Sequence, residues 1–309
     1  MSTQLETGVN QERPAEVIDH APTIPRWQQI VTAAIVFAPV ATVIYAASRW
    51  LSHGITLRDV VLTVAMYAVI GFGVTVGYHR FFTHRSFAAP RPLKIVLAVA
   101  GSMAFEGGPI GWVNGHRRHH AFSDTDRDPH SPLRFGTGAR TKLGAMWHAH
   151  MGWLFRGSPK GGDYAKDLRA DRDLVIIDRL FPVWCVLSLA IPFGLGWLWG
   201  GDLRAALTAL LWAGGVRVFL LHHATWSINS LCHVMGRRPF PTKDNSSNIA
   251  ALAIVTFGES WHNAHHAFPR SARHGMLPHQ WDPAARLIRI FEQCGWATSV
   301  RWPAESSCG

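Results

Sequence analysis

The chain alternates between long apolar runs and long polar segments. Three runs without a charged residue occupy positions 30–47, 60–78 and 180–201. A fourth begins near Ala205 and is interrupted only by Arg217. Each run reaches about 18 residues, the length at which an apolar helix becomes a candidate to cross a bilayer. The pattern therefore predicts four transmembrane helices, near residues 28–48, 58–78, 181–200 and 204–229.

The polar segments between these runs differ in length. Residues 51–59 and the Gly-Gly-Asp turn at 200–202 are short enough to join antiparallel helices, whereas residues 79–179 and the part after Ser230 are long. The first long part contains the apolar run 93–105, which is too short to span a bilayer and is typical of an interfacial or re-entrant helix. The second contains a similar short apolar run, 249–257. We therefore expect an all-α membrane protein whose four transmembrane helices carry a helical cap.

The same pattern predicts the boundaries of the membrane domain. Residues 1–26 are expected to form an N-terminal tail, residues 27–290 the membrane domain, and residues 291–309 a C-terminal tail. The first 26 residues are polar and lack the basic start and apolar stretch of a cleavable signal peptide. The cysteines have no pair spacing that indicates a zinc site or a disulfide framework.

The basic residues give the predicted orientation. The net charge is +10, and most of the lysines and arginines lie in the two long polar segments. The short connections carry only Arg49, Arg58 and Arg204. The positive-inside rule therefore predicts that the cap and both termini face the cytosol, in what we expect to be a bacterial cytoplasmic membrane. Because acidic residues are interspersed with the basic ones, we expect the lipid bilayer as a partner and not nucleic acid.

Nine of the eighteen histidines follow the spacings of metal ligands. Imidazole is the commonest nitrogen ligand of first-row transition metals. Residues at positions i, i+3 and i+4 share one helix face, so each of two triplets can present its imidazoles toward one centre. The candidate ligands are His79, His84, His116, His119, His120, His233, His262, His265 and His266.

Two further details concern these ligands. His79 and His84 are five residues apart, so we expect the helix that carries them to end or distort between them. Asn229 precedes His233 by four residues and is a candidate to hold a metal-bound water. The remaining histidines are expected to have structural or surface roles; they are His20, His53, His130, His148, His150, His222, His223, His274 and His279.

Helix length predicts where the ligands lie. A helix over residues 203–233 would be about 46 Å long, whereas the hydrocarbon core is about 30 Å thick. Its end, with Asn229 and His233, must therefore project beyond the bilayer. The second span ends just before His79, so with four spans all nine histidines emerge on one side of the membrane.

The number of histidines indicates the metals. Nine ligands are too many for one ion, and zinc, which is redox-inert, closes at four ligands. Two iron ions, each with four or five imidazoles and an open or water-filled position, fit the count. Such a pair could activate dioxygen and abstract hydrogen from an unactivated C–H bond.

These residues resemble the membrane fatty acid desaturases, specifically the acyl-CoA (stearoyl-CoA) delta-9 branch. The resemblance covers residues 25–290 and rests on the segments 77–86 (GYHRFFTHRS), 112–120 (WVNGHRRHH), 128–130 (DPH), 229–233 (NSLCH) and 258–269 (GESWHNAHHAFP). It implies that the nine histidines bind two irons, with Asn229 acting through water. It also implies insertion of a cis double bond with dioxygen and two electrons.

The resemblance further implies a substrate tunnel. Trp112 and Thr225 fall where the family bends the acyl chain beside the metals, and Glu106 falls where relatives often have Gln. Tyr67 and Gly71 match positions that close the far end of the tunnel. For the headgroup, Arg156 and Lys160 lie near the basic residues that contact CoA phosphates. Core packing or a solvated surface would also explain each of these residues.

The predicted function is that of an oxygen-dependent delta-9 acyl-CoA desaturase. A membrane di-iron fatty acid hydroxylase or alkane monooxygenase is the alternative enzyme. A metal carrier or transporter, a third hypothesis, would place its ligands near the middle of the membrane. No haem-binding or iron–sulfur pattern follows His266, so we expect a separate electron-transfer protein, either ferredoxin-like or a flavin reductase system. The sequence leaves open the acyl carrier, which could be CoA, carrier protein or phospholipid.

Overall fold

The computed structural model describes residues 24–132, 139–157 and 162–304. Within these ranges the regular elements are helices, accompanied by isolated β-bridges. The α-helices of the described chain are α1 (Arg26–His53), α2 (Leu57–Phe72), α3 (Arg91–Ser102), α4 (Pro109–Phe122), α5 (Ala139–His150), α6 (Lys166–Arg169), α7 (Arg172–Arg179), α8 (Phe181–Gly200), α9 (Leu203–Ala209), α10 (Arg217–Ser230), α11 (His262–Ala267) and α12 (Pro283–Gln293).

Four helical stretches of the described chain are long and apolar enough to cross a membrane, which confirms the predicted four-span, all-helical architecture. Their most apolar windows are 17% buried in the first and third stretches and 50% and 56% buried in the second and fourth. The second and fourth spans are therefore the inner pair, and the other two face outward. The stretches are Arg26–Leu51, Leu57–Thr83, Phe181–Gly200 and Leu203–His233.

Small side chains let the inner pair of spans pack closely. Ile70 of α2 belongs to one buried cluster with Ala209, Ala213 and Leu221 of the fourth span. Small residues at helix contacts of this kind allow backbones to approach each other within a bilayer. The ends of both inner spans continue into the cap, where they carry histidines.

The second span widens into a π-helix over Gly73–Thr83, directly after α2. In a π-helix the hydrogen bonds join residues five apart, and the His84 amide accordingly donates to the His79 carbonyl at 3.2 Å. The two rings lie on the same side of the helix, with centroids 4.8 Å apart. The predicted distortion between His79 and His84 is thus confirmed, and the wider turn is what aligns them.

The cap is anchored where α4 begins. Pro109 occupies the first turn of α4, a position that needs no amide hydrogen. The next free amide, that of Ile110, donates to an Asp178 carboxylate oxygen at 2.9 Å. Ile110 and Val113 also pack in a buried cluster with Ile177 of α7. These contacts fix the direction of α4, the helix that carries three of the histidines.

The C-terminal segment packs on the domain. Thr298 and Ala88 exchange two backbone hydrogen bonds of 2.8 and 2.9 Å, and the Arg301 amide donates to the Ser86 carbonyl. Ala297 is buried in a cluster with Ile288 of α12. Residues 291–302 were expected to belong to a C-terminal tail. They instead hold the turn that follows His84 through these backbone hydrogen bonds, and their apolar side chains pack against the domain.

Candidate metal centre

The nine histidines converge at the cap ends of the inner spans and separate into two groups. Within each group, one ring nitrogen of every histidine lies within 4.8 Å of those of the others. The first group, called group I here, is His79, His84, His116, His120 and His265. The second, group II, is His119, His233, His262 and His266. The structure therefore supplies an assignment to two positions that the sequence left open.

Each histidine triplet contributes to both groups, and not to one centre as the spacing suggested. On α4, the i, i+4 pair His116 and His120 faces group I, whereas His119 faces group II. On α11 the pair His262 and His266 faces group II, and His265 faces group I. Successive residues of an α-helix are about 100° apart, so the three positions span an arc wide enough to serve two neighbouring sites.

The spacing of the ring nitrogens fits metal ligation. In group I, Nε2 of His265 lies 3.1 Å from Nε2 of His79 and 2.9 Å from that of His120. In group II, the Nε2 atoms of His233 and His262 are 3.0 Å apart. Two nitrogens bound at right angles about 2.1 Å from one ion would be separated by about 3 Å. Nε2 of His84, which is buried and has no hydrogen-bond partner among the described residues, is also free to donate to a metal.

Carboxylates stand behind four of the histidines. Each accepts from the Nδ1 side of its ring, which leaves Nε2 directed at the centre and fixes the tautomer. The Nδ1–oxygen distances are 2.5 Å for His79–Glu259, 2.9 Å for His119–Asp128, 3.2 Å for His233–Asp124 and 2.6 Å for His266–Asp244. These partners were not predicted from the sequence, although Glu259 and Asp128 lie inside the motif segments 258–269 and 128–130. Asp124 and Asp244 have no spacing relative to their histidines that would identify them.

A buried ion network orients Glu259. Arg80 is fully buried and lies 3.2 Å from Glu259 and 3.0 Å from Asp282. Nδ1 of His274 lies 3.4 Å from the other oxygen of Glu259. Burial alone would raise the pKa of Glu259, but His79, His274 and Arg80 together hold that pKa well below its ordinary value. Glu259 therefore remains an acceptor for His79, and His274 lies beside group I.

Most of the candidate ligands favour the neutral form. Burial, reinforced by repulsion from neighbouring histidines, lowers the pKa of His84, His116, His120, His262 and His265 well below 6.5. Burial also lowers the pKa of His266 to about 4. His119 differs, because the Asp128 carboxylate outweighs burial and raises the His119 pKa. Metals bind neutral imidazole, so these sites are prepared for a metal at neutral pH.

An apolar cavity of about 380 Å³ passes both groups. His79 and His116 of group I and His262 of group II form part of its wall, and so does Asn229. The structure thus brings Asn229 to the same space as a group II histidine. From there the cavity extends between the spans to Gly71 of α2.

Three of the predicted tunnel residues meet at one point of this wall. Trp112, Glu106 and Thr225 all line the cavity. The Trp112 indole Nε1 donates to a Glu106 oxygen at 3.2 Å, and its ring stacks on His116 with centroids 5.0 Å apart. Burial raises the pKa of Glu106 to about 7, although hydrogen bonds with Thr225 and Trp112 act in the opposite direction. The cavity wall is therefore polar at this point.

Gly71 and Tyr67, the residues predicted to close the tunnel, have different positions relative to the cavity. Gly71 lines the cavity, and a Cβ there would overlap the ring of Phe257. The Tyr67 hydroxyl donates to the Val255 carbonyl at 2.6 Å, and its ring packs 5.5 Å from that of Phe257. Val255 and Phe257 are themselves lining residues, whereas Tyr67 is not. Tyr67 therefore contacts two lining residues without lining the cavity itself.

Of the two predicted headgroup residues, the structure describes Arg156. Arg156 directly follows the 3-10 turn Gly152–Phe155, whose Trp153 and Leu154 line the cavity. Arg156 itself is not among the lining residues. Lys160 lies outside the described residues.

The four spans, the cap and the two histidine groups define a membrane-bound metal-binding protein. Comparison with known families gives its class: the fatty acid desaturase model matches residues 59–302. The chain therefore belongs to the fatty acid desaturase family, which makes it an oxidoreductase acting on lipid acyl chains.

Its relatives differ in substrate. The chain is 40% identical over 251 residues to delta-9 acyl-lipid desaturase 1 of Arabidopsis thaliana, covering 79% of this chain and 76% of the relative. It is 39% identical over 271 residues to the hex-5-enoyl-(acyl-carrier protein) acetylenase of Moorena producens (strain JHB), covering 87% and 84%. It is 38% identical over 247 residues to the acyl-CoA C20 delta-5 desaturase of Anemone leveillei, covering 78% and 73%. Membership of the family therefore does not define the acyl carrier or the position of the double bond.

Proposed function

We propose that this chain is an oxygen-dependent desaturase that inserts a cis double bond at the delta-9 position of a long-chain saturated acyl-CoA. The observation that carries the proposal is the apolar cavity that passes both histidine groups. An acyl chain in this cavity would expose its methylene hydrogens beside His79, His116 and His262.

Two iron ions are the proposed cofactors. His79, His84, His116, His120 and His265 would hold one ion, and the group II histidines, with Asn229 acting through water, would hold the other. Iron bound in this way supplies the means to activate dioxygen and remove hydrogen from an unactivated methylene. The carboxylates behind His79, His119, His233 and His266 keep those rings oriented and strengthen them as donors.

The overall reaction requires an external reductant. Reduction of one dioxygen to two waters takes four electrons and four protons. The two C–H bonds that are broken supply two electrons and two protons, and the double bond forms between their carbons. The other two electrons come from a separate electron-transfer protein, and the remaining two protons come from solvent.

The position of the double bond would be defined by the bend. Trp112 is immobilised between the His116 ring and the Glu106 carboxyl, so it is a fixed surface against which the acyl chain turns. Thr225 completes that surface from α10. The distance from the headgroup to this point then sets which methylenes face the metals.

We assign the CoA headgroup to the part of the cavity near Arg156; Lys160, which lies outside the described residues, is the second proposed contact. Trp153 and Leu154 form the wall there, and the basic residues that follow them in sequence suit phosphate groups. This assignment also requires the cap to face the cytosol, where acyl-CoA is found, as the basic residues predict.

The test is the product made by a bacterial host without a desaturase of its own. Expression of the chain should yield cis-delta-9 fatty acids, and His79→Ala should yield none at equal membrane abundance. Purified protein should then act on stearoyl-CoA in preference to the same chain on carrier protein or phospholipid. Preference for either of those carriers would overturn the acyl-CoA assignment, and a double bond at another carbon would overturn delta-9.

A further inference from the structure

A second cavity, of about 920 Å³, opens beside the metal centre. Its wall includes three candidate ligands, His84 and His120 of group I and His266 of group II. None of these three lines the acyl cavity, whose wall includes His79, His116 and His262 instead. The second cavity is therefore bounded by candidate ligands of both groups.

Basic residues surround this opening. Arg85, Arg117, Lys243 and Arg270 line it, and we call the cavity with these four residues the basic basin. Asp167 pairs with Arg85 and Arg117, at 2.6 Å in each case. Lys243 and Arg270 are exposed and form no ion pair with any residue that the structure describes. The basin thus keeps an excess of positive charge.

Three of these basic residues are close to candidate ligands in sequence or through hydrogen bonds to the backbone. Arg85 follows His84 directly, and Arg117 donates to the carbonyls of Phe82 and Thr83 just before it. Lys243 precedes Asp244, whose carboxylate holds His266 at 2.6 Å. A negatively charged partner bound to these residues would consequently lie beside the cavity wall that His84, His120 and His266 form.

The basin is separate from the acyl cavity. The residues that line the two cavities have no member in common. The acyl cavity contacts His79, His116 and His262, whereas the basin contacts His84, His120 and His266. A molecule in the basin could therefore reach the centre while an acyl chain occupies its own cavity.

We propose that the basic basin is the docking surface for the electron donor, and that this donor is a small, acidic one-electron carrier protein. The inference rests on the proposed function, which requires two external electrons for each double bond. Each docked donor would be oxidised by one electron, so two dockings complete one turnover. Oppositely charged surfaces speed such encounters by about 10- to 1,000-fold, and salt suppresses the effect.

The first test measures binding. The probe is an acidic plant-type 2Fe–2S ferredoxin, titrated onto the full chain loaded with iron in lipid nanodiscs. The Kd should rise at least tenfold in Lys243→Glu and in Arg270→Glu, and should rise with salt in the wild type. Arg286→Glu is the matched control, since Arg286 is exposed on α12 outside the basin. An unchanged Kd in both basin variants, or an equal loss in the control, would overturn the proposal.

The second test separates docking from chemistry. Each protein is reduced either by ferredoxin or by dithionite, and is then mixed with stearoyl-CoA and oxygen for a single turnover. The basin variants should lose at least tenfold in rate with ferredoxin and keep the wild-type product yield with dithionite. Loss of yield with dithionite as well would overturn the docking role, because the charges would then act on the centre itself.

Competition with CoA and the dithionite reaction of the wild type provide two further checks. Saturating CoA should leave the Kd for ferredoxin unchanged; competition would show that the basin holds the headgroup and would overturn the proposal. If dithionite-reduced wild type makes no unsaturated product, the proposed function fails. The binding data still decide the docking surface in that case.

Discussion

The His79 imidazole is held on both sides: its Nδ1 lies 2.5 Å from a Glu259 oxygen, and its Nε2 lies 3.1 Å from Nε2 of His265. The carboxylate fixes the tautomer, and the second contact directs the other nitrogen into group I. Arg80, buried behind Glu259 at 3.2 Å, keeps the carboxylate charged. The orientation of His79 in the second span thus depends on His265 of α11 and on Glu259, which precedes α11.

Removing one ligand from each group should separate the two metal positions. His265→Ala in group I and His233→Ala in group II are each expected to lower bound iron from about two ions per chain to about one and to abolish desaturation. Each protein should still insert, because its spans are intact. Iron analysis together with membrane fractionation makes the measurement. His279→Asn is the control, since His279 has a positive φ of 63° that Asn tolerates. Two retained ions in either Ala variant would remove that histidine from the site.

Neutralising the carboxylates should weaken each site selectively. Glu259→Gln is expected to reduce iron affinity in group I, and Asp244→Asn in group II, by about 10- to 100-fold. The amide keeps the shape but no longer holds the ring nitrogen as a charged acceptor. Competition with a chelator, followed ion by ion, provides the measurement. If both variants release iron as slowly as the wild type, the carboxylates are packing residues only.

The apolar runs predicted the spans and the histidine spacings predicted the candidate ligands, because both features depend on residues close in sequence. The five-residue spacing of His79 and His84 even predicted the distortion that the structure shows as a π-helix. The partition of each triplet between two groups was not predictable, because it depends on how α4 and α11 face each other. Asp124 and Asp244 were missed for the same reason: the distance to their histidines in sequence is 109 residues for Asp124 and 22 for Asp244.

The raised pKa of Glu106 leads us to expect that substrate binding depends on pH. The raised pKa, about 7, means that folding holds a proton on this carboxyl between pH 4.5 and 7 that the unfolded chain has lost. Burial of Glu106 therefore costs stability increasingly as pH rises through that interval, and the cost is constant above about 7. Above pH 7 the charged form should also disfavour an acyl chain in the cavity.

Glu106→Gln should remove both effects, since an amide keeps the hydrogen bonds and cannot ionise. The KM for stearoyl-CoA should rise several-fold between pH 6.5 and 8.5 in the wild type and stay level in the variant. Thermal unfolding should show the variant more stable than the wild type above pH 7. A parallel rise of KM in both proteins would assign the pH dependence to another group.

Tyr67 should affect chain length through the end wall. Tyr67→Ala removes the hydrogen bond to the Val255 carbonyl and the ring against Phe257, so the wall can retreat. Longer acyl chains should then bind better, with each added methylene gaining up to about 0.8 kcal/mol. The double bond should stay at the same distance from the carboxyl end.

The control for this prediction is Tyr67→Phe, which keeps the ring and loses only the hydroxyl. Product profiles across saturated substrates of increasing length provide the measurement. An unchanged preference in a stable, active Tyr67→Ala protein would show that the wall holds without Tyr67. If the double bond instead stays at a constant distance from the methyl end, then contact of that end with the wall, and not Trp112, determines the position of the double bond.

The most direct test of the proposed desaturation is the mass of the product from one turnover of purified, iron-loaded protein with stearoyl-CoA and oxygen. We predict an acyl chain lighter by two hydrogen atoms, with a cis double bond at carbon 9 and no oxygen added. A product heavier by one oxygen atom would show a hydroxylase, the alternative that the same histidines allow. That result would contradict the proposal that this centre removes two hydrogens from a chain held at the bend.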